Sequence, residues 1–160
     1  MSRMQEVISF LENRFEHQIH AHQTLDAVAG DYAPFPASLG PKLTGILRED
    51  GIESLYSHQV DAFHAISNQE DTVLVSRTAS GKTLSFLLPI LNEYLAAESP
   101  FGVMLIYPTK ALSRDQEGTL GKLLKAATGT QKLGTFDGDT PRDERHNIQR
   151  MADFIITNPD

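Results

Sequence analysis

The sequence contains no cysteine and no apolar run that approaches the ~18 residues of a membrane span. The missing cysteines exclude disulfide bonds and thiolate metal sites, and they fit a reducing compartment. Charged residues interrupt the N-terminal stretch MSRMQEVISFLENRFEHQ, so it is not a secretory signal. With 40% hydrophobic and 22% charged residues among 160, we expect about one soluble domain, cytoplasmic and without a membrane partner.

Positive charge is also scarce, because 14 lysines and arginines face 21 aspartates and glutamates, a formal net charge of −7. This balance argues against a generally basic nucleic-acid binder. The charge is unevenly spread, with 6 basic against 13 acidic residues in 1–107 and 8 against 8 in 108–160. A neutral half with basic residues in its loops can still hold a nucleic-acid backbone locally.

The first 50 residues predict a helical N-terminal extension. Apolar residues recur at three- and four-residue steps and predict an amphipathic helix over 4–29 that ends near Gly30. The proline-containing stretch DYAPFPASLGP reads as a connector, and a short helix follows from Pro41 to about Gly51.

Strands and helices alternate in residues 51–160, which we predict to be an open α/β domain. The pattern predicts a helix over 57–68 capped by Ser57, and then further helices over 82–97, 110–126 and 141–151. Four apolar stretches predict the strands 72–76, 102–107, 132–136 and 153–157. This alternation indicates βαβ units and a parallel sheet with helices on both faces.

The stretch SRTASGKT, residues 76–83, is typical of a phosphate-binding loop between a strand and a helix. Amide groups at the helix N-terminus and the Lys82 ammonium would face phosphates, and Gly81 permits close approach of the backbone. The Thr83 hydroxyl can ligate Mg²⁺. Ser76 occupies the first position, where the motif usually has glycine. The alternative is a plain strand-to-helix turn with an exposed lysine, but the strand, loop and helix all favour nucleotide binding.

Three further strand ends carry polar residues that would meet at one edge of the sheet. Thr109 and Lys110 in YPTKALSRDQ suit a nucleic-acid phosphate, although these residues alone favour a helix cap with a solvated lysine. Thr157 and Asn158 in TNPD offer neutral hydrogen-bonding groups.

The stretch DGDTPRDER predicts a turn over 137–139, with Thr140 as helix cap and Pro141 as the first helical residue. The acidic pair also suggests a metal site, but one short turn lacks the six or more oxygen ligands of a calcium site, so we favour a turn followed by a helix cap. Thr140 and Arg142 can additionally meet a backbone phosphate.

Three histidines lie close together in HQIHAH, at positions 17, 20 and 22. The spacing of His17 and His20 would allow metal chelation, but no carboxylate or cysteine completes a recognisable set. His22 falls on the apolar stripe of the predicted helix, so we favour a packed histidine.

The motifs LYSHQ, TASGKT, YPTKALSRDQ, DGDTP and TNPD, in that order, resemble the first motor domain of superfamily 2 DExH helicases. They are most similar to the bacterial mitomycin repair factor A (YprA-type) group, over residues 36–160 but not 1–35. The resemblance implies a RecA-like P-loop fold, three-layer α/β/α with a parallel sheet, and ATP-driven translocation on DNA, favoured over RNA, from 3′ to 5′. It also implies a role in DNA repair and a second RecA-like domain as partner.

The resemblance implies ATP and Mg²⁺ as cofactors and assigns the site residues. Gln59 would read the adenine edge, for which a carboxamide is suited, although a lone helical glutamine is usually just solvated. The residues that would bind the phosphates are Arg77, Thr78, Ala79, Ser80, Gly81, Lys82 and Thr83, the last also holding Mg²⁺. The residues that would contact nucleic acid are Thr109, Lys110, Thr140 and Thr157. A small residue such as Ser76 is common in this superfamily, and Arg77 either reaches phosphate or projects into solvent.

The family's DExH motif, which holds Mg²⁺ and orients the attacking water, is expected beyond Asp160, so no catalytic residue is assigned. The second domain would supply arginine fingers, and one such arginine contributes ~10³–10⁵ in rate. We therefore expect an N-terminal fragment that does not hydrolyse ATP appreciably or unwind a duplex. The alternatives are a non-catalytic nucleotide-binding or protein-interaction module that docks through helix 4–29, and an unrelated P-loop kinase, for which no lid or acceptor site is found.

Overall fold

The computed structural model describes residues 3–23, 29–77, 80–99 and 101–159. The chain divides into two compact units, Met1–Gly30 and Asp31–Asp160. The helices are α1 (Arg3–Arg14), α2 (Pro41–Glu49), α3 (Ser57–Ser67), α4 (Lys82–Ala96), α5 (Lys110–Thr128) and α6 (Arg142–Met151). The strands are β1 (Tyr32–Ala33), β2 (Leu55–Tyr56), β3 (Val103–Ile106), β4 (Leu133–Phe136) and β5 (Phe154–Thr157). Within the described ranges, none of the helices has the length and apolar character that crossing a bilayer requires.

The N-terminal unit contains a shorter helix than the apolar periodicity predicts. Helix α1 ends at Arg14, and a turn follows in which the Ile19 amide donates to the Phe15 carbonyl at 3.1 Å. The prediction of a helix to residue 29 is therefore wrong beyond Arg14, and its part over 24–28 lies outside the described residues. The described residues of α1 bury no side chain, and a helix without tertiary packing is marginal in water.

A parallel sheet forms the centre of the second unit, as predicted. Its order is β3-β5-β4, and Ile106 and Phe136 are both in register with Thr157. The carboxyl ends of the three strands are therefore level. The loops that follow them all begin at the same edge of the sheet.

The predicted strand over 72–76 is not a strand in the structure. The segment has no regular secondary structure and no ladder partners in the described part of the chain, and Val73 and Val75 are 89% and 88% exposed. Apolar alternation favours a strand locally, but a strand exists only where its amide and carbonyl groups pair with a neighbour. The described sheet accordingly has three parallel strands instead of the predicted four.

A short antiparallel pair, β1 with β2, brings the connector next to the start of α3. Tyr32 pairs with Tyr56, and Ala33 pairs with Leu55. Helix α3 begins at Ser57, with Tyr56 as the N-cap residue, so the prediction that Ser57 is the cap is wrong. The β-pairing places Tyr56 in an extended conformation, which moves the cap back by one residue.

The core of this unit joins the sheet to four of its helices. Its fully buried large side chains include Leu43, Leu47, Phe63, Leu87, Leu88, Leu91, Leu120, Leu124, Phe154 and Ile156. A Cβ atom at Gly134 of β4 would lie 2.7 Å from Ile148 of α6, so the glycine allows this helix to approach the sheet closely. Packing of α4 and α5 into one core fixes their N-termini relative to each other.

Tyr94, Lys132 and Asp153 form a polar cluster beside the first residues of β4 and β5. The Tyr94 hydroxyl donates a short hydrogen bond to the Asp153 carboxylate, and the Lys132 ammonium lies 3.2 Å from the same oxygen. The hydrogen bond to Asp153, followed by burial and the aspartate charge, raises the pKa of Tyr94 to about 12.

This cluster predicts a loss of stability at high pH. Between the ordinary tyrosine pKa of 10.0 and about 12, the unfolded chain loses the Tyr94 proton while the folded chain keeps it. The free energy of unfolding should therefore fall as the pH rises through this window. Urea unfolding at several pH values measures the slope, and Tyr94→Phe should reduce it. An unchanged slope in Tyr94→Phe would contradict the assignment.

Candidate nucleotide and nucleic-acid site

The loop before α4 closes around the ammonium group of Lys82. The Lys82 Nζ atom lies 3.0 Å from the Ser76 carbonyl oxygen, 2.5 Å from the Arg77 carbonyl oxygen and 3.4 Å from the Ser80 hydroxyl. Gly81 is the N-cap residue of α4, with a φ of +75°. The ammonium thus lies at a helix N-terminus, where amide groups and the helix dipole stabilise an anion such as phosphate. In this structure the ammonium donates to the carbonyl and hydroxyl oxygens of the loop. Thr78 and Ala79, also predicted for this loop, lie outside the described residues.

Ser76 takes part in this loop through its side chain as well as its carbonyl. Its hydroxyl lies 2.6 Å from the Ser80 hydroxyl and 3.2 Å from the Lys82 ammonium. The serine at the first motif position therefore supplies a contact that glycine cannot make. Arg77 is exposed and contributes its carbonyl group to the ammonium.

Gln59 connects the start of α3 to the phosphate loop. Its Oε1 atom accepts from the Tyr56 amide at 2.9 Å, and its Nε2 group donates to the Gly81 carbonyl at 2.8 Å. The residue is 3% exposed. Each amide atom retains one further hydrogen-bonding position, so a base edge can still be read.

A stack of aromatic rings, missed in the sequence, lies next to Gln59. The Tyr32 and Tyr56 rings are 4.7 Å apart at 22°, and the Tyr56 and His58 rings are 5.4 Å apart at 15°. His58 Nε2 lies 2.9 Å from the Ser80 carbonyl oxygen, which places a proton on this nitrogen. Tyr56 precedes Gln59 by three residues, and this closeness in the sequence is the one signal that could have identified it. Tyr32 joins only through the unpredicted β1–β2 pair.

A cavity of about 420 Å³ opens between these rings and the loop. Its apolar and aromatic lining includes Tyr32, Ile52, Tyr56 and Leu84, and its polar side chains are Gln59, Glu53 and Ser54. Aromatic and aliphatic walls with a few polar groups are suited to a flat heterocycle. The cavity therefore adjoins the 76–83 loop at Gly81.

The hydroxyl group of Thr83 donates to Gln116 Oε1 of α5 at 3.1 Å. Donation of the proton leaves the lone pairs of the threonine oxygen for a metal ion. Gln116 was not identified from the sequence, because nothing local shows that α5 approaches α4. This hydrogen bond joins the start of α4 to α5, the helix that carries Lys110.

The predicted nucleic-acid residues lie in two neighbouring loops and one strand end. Thr109 caps α5, since its hydroxyl accepts from the Leu112 amide at 3.3 Å. Lys110 Nζ lies 2.8 Å from Asp139 Oδ2 in the turn after β4. The Thr157 hydroxyl donates to the Phe136 carbonyl at 2.5 Å. The ion pair therefore brings the loops after β3 and β4 together, and the hydroxyls of Thr109 and Thr157 already have internal partners.

The turn after β4 is confirmed, but its threonine is not a helix cap. The Thr140 hydroxyl donates to the Thr135 carbonyl at 3.1 Å and accepts from the Asp137 amide at 2.9 Å. Helix α6 begins at Arg142, and Pro141 is its N-cap residue, so both helix-start predictions are wrong by one residue. Thr140 faces back into the turn because the extended Pro141 separates it from the helix.

Asp137 is a buried carboxylate inside this turn. Burial raises its pKa, but hydrogen bonds from the Asp139 amide and Thr140, with the nearby Lys110, lower the pKa below its usual value overall. Two oxygens of Asp137 accept hydrogen bonds. Its carbonyl oxygen accepts from Arg145 Nη2 at 2.9 Å, and its Oδ1 atom accepts from the Asp139 amide at 2.9 Å. Asp139, in contrast, is an exposed carboxylate.

Asn158 is buried at the carboxyl end of β5, next to Thr157. Both polar atoms of its side chain lack a hydrogen-bond partner among the residues that the structure describes. A buried carboxamide without partners is costly. It is therefore a position where a further group would be stabilising.

The three histidines do not form a metal site in the described part of the chain, where no group of His, Cys, Asp or Glu suits a metal ion. His22 is exposed, and its Nδ1 atom lies 2.7 Å from Glu12 Oε1. The prediction of a packed His22 is therefore wrong, because α1 ends before it. The letters D-E-R-H at 143–146 lie within α6, not after a strand, so they do not form a strand-end acidic motif.

The family model described as DEAD/DEAH box helicase matches residues 56–160. The chain belongs to this helicase family. The ATP-dependent helicase YprA of Bacillus subtilis (strain 168) is 34% identical over 155 residues, which is 97% of this helicase chain and 20% of that protein. The ATP-dependent helicase hrq1 of Schizosaccharomyces pombe is 34% identical over 154 residues, 93% of this chain and 14% of its own length.

Solved structures agree with this assignment. The DUF1998 helicase MrfA bound to DNA and AMPPNP has a TM-score of 0.78 and 32% identity, over 97% of this helicase chain and 21% of that chain. The likeness to YprA and MrfA covers nearly all residues, so the expectation that it excludes residues 1–35 is wrong. A DEAD box protein from Methanococcus jannaschii, at 20% identity and a TM-score of 0.64, shares the RecA-like fold. The helicase chain spans about a fifth or less of the length of the curated relatives.

Proposed function

We propose that this helicase chain binds ATP with Mg²⁺ at the 76–83 loop and contacts one nucleic-acid strand at the carboxyl edge of the sheet. Lys82 would bind the outer phosphates, and Thr83 would hold Mg²⁺. The observation that carries the proposal is the Lys82 ammonium, which lies among loop oxygens directly behind the left-handed Gly81. The adjoining cavity with Gln59, Tyr32 and Tyr56 would take the adenine.

The nucleic-acid part of the proposal involves Thr109, Lys110, Thr140 and Thr157. These residues lie at or just beyond the level ends of β3, β4 and β5. We propose DNA as the substrate and translocation from 3′ to 5′, in a repair process, as the motif resemblance implies. The DNA present with the related MrfA supports DNA over RNA.

We also propose that the 160-residue chain binds ATP without hydrolysing it. Phosphoryl transfer in this family depends on a strand-end acidic pair and on arginines from a second motor domain. The D-E-R-H letters in α6 are not in the position of such a pair. Hydrolysis would then require partners that act on the bound nucleotide.

Lys82→Ala tests the nucleotide site. We expect ATP·Mg²⁺ to raise the Tm of the wild-type chain, and we expect Lys82→Ala to weaken ATP binding about 10- to 100-fold. The loss of charge-assisted hydrogen bonds of ~1.5–3 kcal/mol explains this effect. Thermal melting over a series of ATP concentrations measures the affinity through linkage.

Lys42→Ala is the matched control, because Lys42 is an exposed lysine at the start of α2. It should bind ATP as the wild type does. If the wild type shows no ATP-dependent shift, or if Lys82→Ala shifts equally, the proposed nucleotide site is refuted. Phosphate release above a buffer control would refute the proposed lack of hydrolysis.

A further inference from the structure

Asp139 places a carboxylate oxygen against two cations of α5. Its Oδ2 atom lies 2.8 Å from Lys110 Nζ and 3.9 Å from Arg114 Nη2. Lys110 and Arg114 are one helical turn apart, so both side chains extend from the same face of the first turns of α5. A single anionic oxygen thus lies within reach of both cations.

The contacts of the two aspartates in this turn differ. Asp137 is buried, and hydrogen bonds from the Asp139 amide and Thr140 engage its carboxylate. The carboxylate of Asp139 is exposed, and it forms ion pairs with Lys110 and Arg114. It can therefore move away from the cations without disrupting the turn.

The position of Asp139 Oδ2 is also that of a phosphate oxygen held by the same two cations. Lysine and arginine bind carboxylates and phosphates through the same charge-assisted hydrogen bonds. The cleft next to the ion pair is lined by Arg114 and Asp139 and also by Asp137, Glu117 and Glu144. These carboxylates repel a phosphate, so a phosphate is expected at the mouth of the cleft on the side of Lys110, which does not line it.

We propose that Lys110 and Arg114 bind one backbone phosphate of a nucleic acid, and that the Asp139 carboxylate occupies this phosphate position in the free protein. Arg114 is then a further nucleic-acid contact, and Asp139 lowers the affinity by competing for both cations. This inference rests on the proposed nucleic-acid contact of Lys110. It adds Asp139 as the residue that competes with the phosphate for Lys110.

Binding of a fluorescein-labelled oligothymidine to the full 160-residue chain, followed by fluorescence anisotropy, tests the competition. Asp139→Asn should tighten binding about two- to fivefold, the range expected when an exposed ion pair no longer has to be broken. The plot of log affinity against log salt should become steeper. Arg114→Gln in the Asp139→Asn background should reduce the slope by ~0.7, the value for one phosphate contact on a single strand.

Two variants provide matched controls. Asp143→Asn removes the same charge from an exposed position on α6 close by in sequence, and it should tighten binding less than Asp139→Asn does. Lys122→Gln removes an exposed cation further along α5, and it should leave the salt slope unchanged. Thermal melting of each variant confirms that it is folded before binding is compared.

The outcomes separate this inference from the proposed function. If Lys110→Gln weakens binding while Asp139→Asn behaves as Asp143→Asn does, the nucleic-acid contact stands and the competition is refuted. If Arg114→Gln leaves both affinity and slope unchanged, Arg114 is not a phosphate ligand. If no variant binds the oligonucleotide, the proposed contact itself fails, and the inference fails with it.

Discussion

Gly81→Ala should abolish detectable nucleotide binding and lower the free energy of unfolding by about 2–3 kcal/mol. A non-glycine residue at a φ of +75° costs roughly 1–2 kcal/mol. In addition, the new Cβ atom would lie 2.5 Å from Gln59 Nε2. Gln59 must then move, which breaks its hydrogen bond to the Gly81 carbonyl and alters the wall of the cavity that we propose for adenine. Urea unfolding and ATP-dependent melting measure the two effects.

Gly129→Ala separates the backbone cost from the contact. Gly129 has a φ of +76°, and a Cβ atom there would have nothing within 4 Å. Gly129→Ala should lower the free energy of unfolding by about 1 kcal/mol and leave ATP binding unchanged. Equal losses of stability and unchanged ATP binding in both variants would show that the Gln59 contact does not matter for the loop.

Phe154→Ala should destabilise the second unit by about 3–5 kcal/mol, the range for removing a fully buried phenylalanine. Phe154 is 0% exposed in the central strand β5 and lies edge-on to Tyr94 at 5.0 Å. Because its side chain stands on the sheet face next to Tyr94, the resulting cavity lies between the sheet and α4. Urea unfolding measures the loss of stability. We also expect only a small folded population of Phe154→Ala at 37 °C.

Phe10→Ala removes the same side chain from an exposed position in α1. Its effect should stay within about 0.5 kcal/mol, as for most surface substitutions. A cost below about 1.5 kcal/mol for Phe154→Ala would mean that the core collapses around the missing ring, contrary to the close packing expected of a protein interior.

Local patterns predicted the elements of the α/β unit but not their partners. Helices α2 to α6 and strands β3 to β5 follow from apolar periodicity and turn residues, which act over a few neighbours. The stretch 72–76 has the same local pattern, yet pairing is a non-local property, and the described chain provides no ladder for it. The β1–β2 pair was missed for the same reason, since two-residue strands carry almost no periodic signal.

The candidate site shows the same division. Gly81, Lys82 and Thr83 are adjacent in the chain, so their motif predicts their proximity directly. The bond from Thr83 to Gln116 and the ion pair of Lys110 with Asp139 join residues about thirty positions apart, and only the packing of α4, α5 and β4 creates them. The roles assigned to the individual residues remain predictions until they are measured.

The outer edge of β3 has a consequence for the behaviour of the protein in solution. Met104 and Ile106 are 63% and 64% exposed on this strand, which is an edge strand among the described residues, and Val73 and Val75 are still more exposed. Unpaired strand edges with apolar side chains can pair with the edges of other molecules. Self-association should therefore increase with concentration. The net charge of −7 opposes it at low ionic strength, and salt screens that repulsion.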